Sequence, residues 1–325
     1  MKKIVLLIFT LLIIIVSCDK VKNPDQRPPQ VYHCIDTLHQ VIKTLVHTST
    51  TNQRNVLIED YTGHKCPNCP RAGITAEKLL EQYPGRVVVI ANHVTGIYAD
   101  PSRDSTDKYK ENFRNPASDE WDTKDKGFSI SGAGLPQGMI NRISNPYFPQ
   151  SDTKWPSLVS VALTQPALAK LDIKTYYDTI SHYLSVKVKT TFLNALTNNV
   201  NVIIVLTQDG IIGSQKDGNA SNAPLDRDPL DPQTRLNYKF DHIVIDAING
   251  PQGQLMKAAP IVMNDTASVF TSCYLLNKCF GKNTTTETIP PYTAICVNDK
   301  LVNLVAFIVD AQTKEVLQVE TLKIR

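Results

Sequence analysis

Two cysteines separated by two residues, Cys66 and Cys69, form the part of the sequence best suited to do chemistry. A buried strand is predicted over residues 55–61 and a helix over residues 67–83, so the pair lies where a strand turns into a helix. This spacing brings both sulfurs into the first helical turn, close enough for a disulfide. The helix N-terminus favours a thiolate at Cys66, and Cys69 would then resolve a mixed disulfide. The pattern predicts thiol–disulfide exchange.

Three ionisable residues precede the pair. His64 and Lys65 are directly before Cys66, where positive charge should lower the pKa of its thiol, and we expect both to contact a substrate. Asp60 lies six residues before Cys66 on the predicted strand, where burying a carboxylate costs several kcal/mol unless it is paired or used. Asp60 therefore favours a reactive dithiol. The alternative is an inert disulfide in a scaffold that only binds other molecules.

The elements around the pair predict an α/β domain. A second buried strand over residues 86–92 completes a βαβ unit with parallel strands. Residues 95–130 are mostly polar and indicate an insertion. Beyond it, Leu135-Pro136 leads into a strand over residues 139–143, and a closing helix is predicted over residues 155–163. We assign residues 31–165 to this domain, including a short strand near residues 41–46.

The pattern changes near residue 166. Apolar and polar residues alternate over five segments with turn residues between them, which predicts an antiparallel, immunoglobulin-like all-β sandwich over residues 166–325. The stretch 209–235 is polar and predicts a long loop. Its acidic residues match no calcium-loop spacing, so we predict neither a metal nor a cofactor.

The first residues predict export. Residues 1–17 have a basic start, an apolar core and a small residue before Cys18, as in a secretory signal peptide. Ile15-Val16-Ser17-Cys18 resembles the lipobox of bacterial lipoproteins, which implies lipidation at Cys18 and anchoring to a membrane. Residues 18–30 are polar and Pro-rich, typical of a tether.

Charge and cysteine content limit the remaining possibilities. The chain has 34 Lys and Arg against 31 Asp and Glu; without the two Lys of the signal the balance is 32 against 31. Such a balance gives no electrostatic reason to expect nucleic acid as a partner. Disulfides persist in an exported protein. The candidates for structural disulfides are Cys34, Cys273, Cys279 and Cys296, and their connectivity is left open, including a short 273–279 loop.

The motifs around the dithiol resemble the thioredoxin superfamily. The resemblance implies that Asp60 handles the proton of Cys69 and that Leu135-Pro136 is the cis-proline segment facing the dithiol, where Leu135 aligns a client strand. Lys65 stands where thioredoxins have Trp.

Residues 57–72 and 134–142 resemble a narrower family, the Bacteroidetes outer membrane lipoproteins named after a twenty-eight-kilodalton Porphyromonas antigen. This resemblance implies an outer membrane location. We therefore predict an envelope thiol–disulfide oxidoreductase acting on exported proteins. The alternative is a non-enzymatic surface protein, an adhesin or receptor, with an inert Cys66–Cys69 disulfide.

Overall fold

The computed structural model describes residues 42–49, 52–102, 104, 106–143, 149–219, 226–280 and 295–325. All of them belong to one compact unit, Tyr32–Arg325. The predicted signal peptide, Cys18, the tether and Cys34 lie outside the described residues. Within the described part of the chain, no helix is long and apolar enough to cross a lipid bilayer.

The described chain is mostly β-structure with four α-helices. The helices are α1 (Cys69–Gln82), α2 (Gly96–Ala99), α3 (Pro116–Trp121) and α4 (Trp155–Thr164). The strands are β1 (Ile42–Thr48), β2 (Val56–Thr62), β3 (Val87–His93), β4 (Gln137–Ile140), β5 (Ala169–Asp178), β6 (Tyr183–Phe192), β7 (Val200–Gln208), β8 (Ile211–Lys216), β9 (Thr234–Phe240), β10 (Ile243–Ala247), β11 (Gln254–Lys257), β12 (Thr266–Leu275), β13 (Cys279–Phe280), β14 (Ile295–Cys296), β15 (Val302–Asp310) and β16 (Val316–Lys323).

Two large sheets contain most of these strands. The larger has the order β16-β15-β7-β10-β3-β2-β4, and β11 pairs with the free length of β7 as an eighth strand. The smaller has the order β1-β5-β6-β12 and is antiparallel throughout. The pairs β8–β9 and β13–β14 stand apart from both sheets. As predicted, β2 and β3 are parallel, and α1 connects them.

The alternation of apolar side chains decides what covers each face of the larger sheet. On one face, Val56 and Ile58 of β2 pack with the buried side of α1 and with α4. Farther along this face, strands β7 and β15 share a core with β5 and β6 of the smaller sheet. On the opposite face, Leu57 and Tyr61 pack with Trp121 and Ile130 from the insertion. The insertion is therefore part of the core.

The predicted division into two domains at residue 165 is not confirmed. Strand β1, assigned to the first domain, pairs with β5 of the second, and β3 pairs with β10. An exposed strand edge carries unpaired N–H and C=O groups that favour pairing. The edge of the βαβ unit is paired in this way with a strand from the second half of the chain, so both halves share one sheet.

The close packing of β4 against α4 requires a glycine at position 138. A Cβ atom there would lie 2.5 Å from a Trp155 ring carbon and 2.9 Å from the Glu59 carbonyl oxygen. The Gly138 N–H and C=O also form a two-way bridge with Gln150, and the Trp155 indole N–H donates to the Gln150 carbonyl. The Trp155 side chain and the backbone of Gln150 are therefore both held in place against Gly138.

Gly138→Ala should therefore lower the free energy of unfolding by about 1–3 kcal/mol, the usual cost of overpacking. Urea unfolding measures it. Gly132→Ala is the matched control, because a Cβ atom there meets only the Ser129 hydroxyl oxygen, at 3.3 Å. Equal stability of the two variants would contradict the packing described here.

A buried ion pair holds the other face of β2. Arg142 donates from Nε and Nη2 to both carboxylate oxygens of Glu59, at 2.7 and 2.8 Å, and both side chains are almost fully buried. The guanidinium also lies about 5 Å from the ring centres of Trp121, Phe128 and Phe307. The charge of Arg142 is thus enclosed by one carboxylate and three aromatic rings.

Removing one partner of this pair should destabilise the protein strongly. We expect Glu59→Ala to cost about 3–5 kcal/mol of unfolding free energy, because it leaves an uncompensated buried guanidinium. The double variant Glu59→Leu with Arg142→Met, which removes both charges, should lose clearly less. Chemical denaturation of the two variants tests this; a double variant as unstable as Glu59→Ala would refute it.

Candidate functional site

The two cysteines are disulfide-bonded, with their Cα atoms 5.5 Å apart. Helix α1 begins at Cys69, two residues later than predicted, so Cys66 lies in the preceding turn and not in the helix. Pro70 explains the late start, since a proline fits the first helical positions, where its missing N–H has no intrahelical acceptor. The turn is closed by the Cys69 N–H, which donates to the Cys66 carbonyl at 3.3 Å.

Both cysteines are covered. Cys66 is 1% exposed and Cys69 is 3% exposed. Residues 215–218, which we call the cover segment, cross the loop 63–68 between β2 and α1, which we call the cysteine loop. Three N–H groups of the cover segment donate hydrogen bonds to carbonyl groups of this loop. Gln215 Nε2 donates to Cys66 at 3.1 Å, the Lys216 N–H to His64 at 2.7 Å, and the Gly218 N–H to Pro67 at 2.8 Å.

Asp60 lies under α1 with its carboxyl group buried. Its Oδ1 atom has no hydrogen-bond partner among the described residues. Burial, and secondarily the negative charge of Asp152, raises the pKa of Asp60 to about 8. At neutral pH this side chain is therefore mostly a carboxylic acid that carries a proton.

The structure contradicts the predicted role of His64 as a positive, substrate-contacting residue. His64 is fully buried, its Nε2 lies 3.3 Å from the Asp100 carbonyl oxygen, and its ring packs near Tyr109 and Phe113. Burial lowers its pKa to about 4, so it is neutral at pH 7 and adds no positive charge. Lys65 is half-buried, and its N–H donates to the Tyr98 carbonyl at 3.0 Å.

The peptide bond between Leu135 and Pro136 is cis. Strand β4 then runs antiparallel to β2, with Gln137 opposite Tyr61. The register brings Pro136 to the end of β2 at which the cysteine loop begins. Pro136 is buried and Leu135 is half-buried, and neither the N–H nor the C=O of Leu135 has a backbone partner among the described residues.

A cavity of about 340 Å³ lies between α1 and the chain from Tyr238 to Ile243. Asp60, Cys69 and His93 line it. His93 is opposite Thr62 in the parallel register, on the same face of the sheet as Asp60. Neither ring nitrogen of His93 has a hydrogen-bond partner among the described residues, and burial lowers its pKa well below the usual value. Two orphaned polar side chains therefore lie beside one cavity that reaches Cys69.

Sequence reasoning missed three residues of this site: His93, Tyr238 and Gln215. For His93 a signal existed, because the predicted βαβ unit puts it on the face of Asp60. For Tyr238 and Gln215 no local signal exists, since both come to the site from the second half of the chain.

The structure shows part of the disulfide connectivity that the sequence leaves open. Cys279 and Cys296 form a disulfide between β13 and β14, which excludes the 273–279 loop among the pairings that the sequence leaves open. Cys279 and Cys296 are directly opposite each other on the paired strands, although they are 17 positions apart in the sequence. Cys273 is also disulfide-bonded.

Comparison with known proteins gives a likeness in structure. No protein-family model and no curated protein matches the sequence. The structure of HBP35 of Porphyromonas gingivalis superposes with a TM-score of 0.53 at 12% identity, over 85% of this chain and 77% of that one. At this identity the likeness shows a shared fold and not a shared activity.

Two further structures have lower scores. A protein from Agrobacterium tumefaciens has a TM-score of 0.45 at 10% identity, over 85% of this chain and 96% of that one. A domain of the outer membrane lipoprotein Omp28 from Porphyromonas gingivalis has a TM-score of 0.26 at 17% identity, over 49% of this chain and 89% of that one. Neither score is high enough to support an argument.

The raised pKa of Asp60 should be visible in the stability of the protein. An unfolded Asp titrates near about 3.9, whereas Asp60 titrates at about 8 in the folded protein. Between these values the folded state holds a proton that the unfolded state releases, so this group makes stability fall as pH rises. Asn does not titrate, so Asp60→Asn should not lose stability in this way. At pH 8–9 its free energy of unfolding should exceed that of the wild type by a few kcal/mol.

Urea unfolding at pH 5, 7 and 9, with all disulfides intact, measures the effect. Asp125→Asn, at an exposed position, is the matched control and should follow the wild-type curve. If Asp60→Asn loses as much stability as the wild type between pH 5 and pH 9, the buried acid does not exist in solution.

Proposed function

We propose that this protein is a thiol–disulfide oxidoreductase of thioredoxin-like type that exchanges the Cys66–Cys69 disulfide with exported proteins. The observation that carries the proposal is the buried carboxyl group of Asp60, whose Oδ1 has no partner among the described residues and which lines the same cavity as Cys69. When a client thiolate attacks Cys66, the electron pair of the broken disulfide leaves on the sulfur of Cys69. A buried acid beside that sulfur can supply the proton that the leaving thiolate needs.

The groups around Asp60 support this role. A disulfide that serves only structure gains nothing from a buried, unpaired acid, which costs free energy of folding. The free backbone groups of Leu135 beside cis-Pro136 offer a strand-like binding edge for a client peptide. Because Cys66 is 1% exposed, a protein client has to displace the cover segment before the sulfurs meet.

We further propose that lipid on Cys18 anchors the protein to the membrane, in the outer membrane of the envelope. The lipobox-like Ile15-Val16-Ser17-Cys18 and the polar tether after it support this proposal. Metabolic labelling with a fatty acid, followed by membrane fractionation, tests it. Label that persists in Cys18→Ala would exclude lipidation at this residue.

The burial of both cysteines favours a second candidate function. In this alternative the Cys66–Cys69 disulfide is a fixed link, and the protein acts by binding partners at the surface as an adhesin or receptor. This alternative explains the covered sulfurs and leaves the buried acid without a use.

A redox titration of the folded protein separates the two candidates. Equilibration in thiol–disulfide buffers, quenching by alkylation and peptide mass spectrometry give one midpoint for each disulfide. An exchanging Cys66–Cys69 pair should have a midpoint above about −300 mV, the range of labile disulfides. The Cys279–Cys296 disulfide serves as an internal reference and should stay oxidised to lower potentials. A Cys66–Cys69 midpoint far below about −300 mV would leave only the binding role.

A further inference from the structure

The two sulfurs have different surroundings, although Gln215 of the cover segment takes part in both. The carbonyl groups around Cys66 accept hydrogen bonds from the cover segment, which closes that side of the cysteine loop. Cys69 instead lines the cavity beside α1, and Cys66 is not among the residues around it. The disulfide thus has one side closed by hydrogen bonds from the cover segment and one side that faces a cavity.

The cavity has a mouth at the surface. Ile74, Glu77, Lys78 and Glu81 line it from α1, and all four are exposed. Lys239, Asp241 and His242 line the opposite rim. A volume of about 340 Å³ holds a molecule of a few heavy atoms, and a folded protein does not fit.

The rim charges are largely compensated within the protein. Lys239 forms a salt bridge with Asp241 at 2.8 Å, and His242 lies 3.1 Å from a Glu77 carboxylate oxygen. The remaining Lys78 and Glu81 have opposite signs. The mouth therefore selects neither anions nor cations.

The floor of the cavity is polar and unsatisfied. Asp60 Oδ1 and both ring nitrogens of His93 lack hydrogen-bond partners among the described residues, and both side chains are at least 95% buried. Buried polar atoms usually have a partner, so these atoms point to something that enters the cavity and bonds to them. The Cys66–Cys69 disulfide is the one group on this floor that can react with it.

Resting on the proposed function, we propose that a low-molecular-weight thiol without net charge enters this cavity and reduces the disulfide by attack on Cys69. Protein partners reach the other sulfur, Cys66, when the cover segment opens. The site would thus have two entrances, one for a small reductant and one for a client.

The reaction balances with two molecules of the small thiol. The first, as its thiolate, attacks the Cys69 sulfur; the bond to Cys66 breaks, its electron pair leaves on Cys66, and that sulfur takes up a proton. The second thiolate attacks the sulfur of the bound small thiol and releases Cys69 as a thiolate, which takes the proton of Asp60. The small thiols leave as a disulfide, and the two protons that they lost end on Cys66 and, through Asp60, on Cys69.

Gly73 allows the cavity to be filled without touching the reacting groups. It lies on α1 and lines the cavity, where a Cβ atom would meet only the Tyr238 hydroxyl oxygen, at 3.4 Å. Gly73→Leu should therefore narrow the entrance. Thr75→Leu adds a similar side chain on the same helix outside the cavity and is the matched control.

The experiment measures how fast the Cys66–Cys69 disulfide of the full chain is reduced by 2-mercaptoethanol and, separately, by reduced thioredoxin. Gly73→Leu should slow reduction by 2-mercaptoethanol at least tenfold. The rate of reduction by reduced thioredoxin should stay within twofold of the wild-type rate. Thr75→Leu should change neither rate. If Gly73→Leu leaves the 2-mercaptoethanol rate unchanged, the cavity is not the route.

Single-cysteine variants test the attacked sulfur without relying on Gly73. With 2-hydroxyethyl disulfide, Cys69 in Cys66→Ser should form a mixed disulfide at least tenfold faster than Cys66 in Cys69→Ser. The reverse order would overturn the inference while leaving exchange at Cys66 intact. A disulfide that neither reductant opens without denaturant would overturn the proposed function and the inference together.

Discussion

The joining of β3 to β10 is the constraint on which the rest of the molecule depends. The Ala91 N–H donates to the His242 carbonyl at 2.8 Å, at the point where β10 begins to run parallel to β3. Only two residues separate β9 from β10, and the β8–β9 pair reaches the start of α1, where Gln215 and Tyr238 line the cavity together with Cys69. The cavity and the cover segment both follow from that position.

Strand β2 shows how differently two adjacent carboxylates are treated. Glu59 points to one face of the sheet, where Arg142 satisfies both of its oxygens. Asp60 points to the other face, where Oδ1 finds no partner among the described residues and the pKa rises to about 8. The ion pair compensates the buried charge of Glu59, whereas Asp60 has no compensating partner in the described part of the chain and is buried in its protonated form. This contrast within one strand is the structural basis of the role proposed for Asp60.

The sequence contains the local half of this structure. The βαβ unit and the cysteine pair at its turn are short-range patterns, and they lie where strand periodicity and spacing indicate. The cis peptide bond at Pro136 was expected only from the resemblance to thioredoxins. The helix start was wrong by two residues because the preference of Pro70 for the first turn outweighs the apolar pattern. Such errors are small because the information that sets these elements is local.

The remaining features depend on contacts between distant residues. Strand β1 matches the prediction as an element, but its partner β5 lies more than a hundred residues away and is not encoded in its pattern. The charge of His64 was misjudged because Tyr109 and Phe113, which pack against its ring, come from the insertion. Residues 211–216 looked like part of a polar loop, although they form β8 and lead into the cover segment. Polar composition describes the exposed side of such a segment and not its backbone pairing.

The free energy needed to open the cover segment determines how strongly its burial protects the dithiol from other proteins. Three hydrogen bonds attach it to the cysteine loop, and a hydrogen bond contributes about 1 kcal/mol of net stability. Opening would then cost about 3 kcal/mol, which corresponds to an open population of about 1% or less. In the proposed exchange, such a population would slow a protein client by about a hundredfold without excluding it. Binding of the client to the edge at Leu135 would offset part of this cost. In the proposed exchange, burial at this level acts as a gate on Cys66, whereas Cys69 lines the cavity with the cover segment in place.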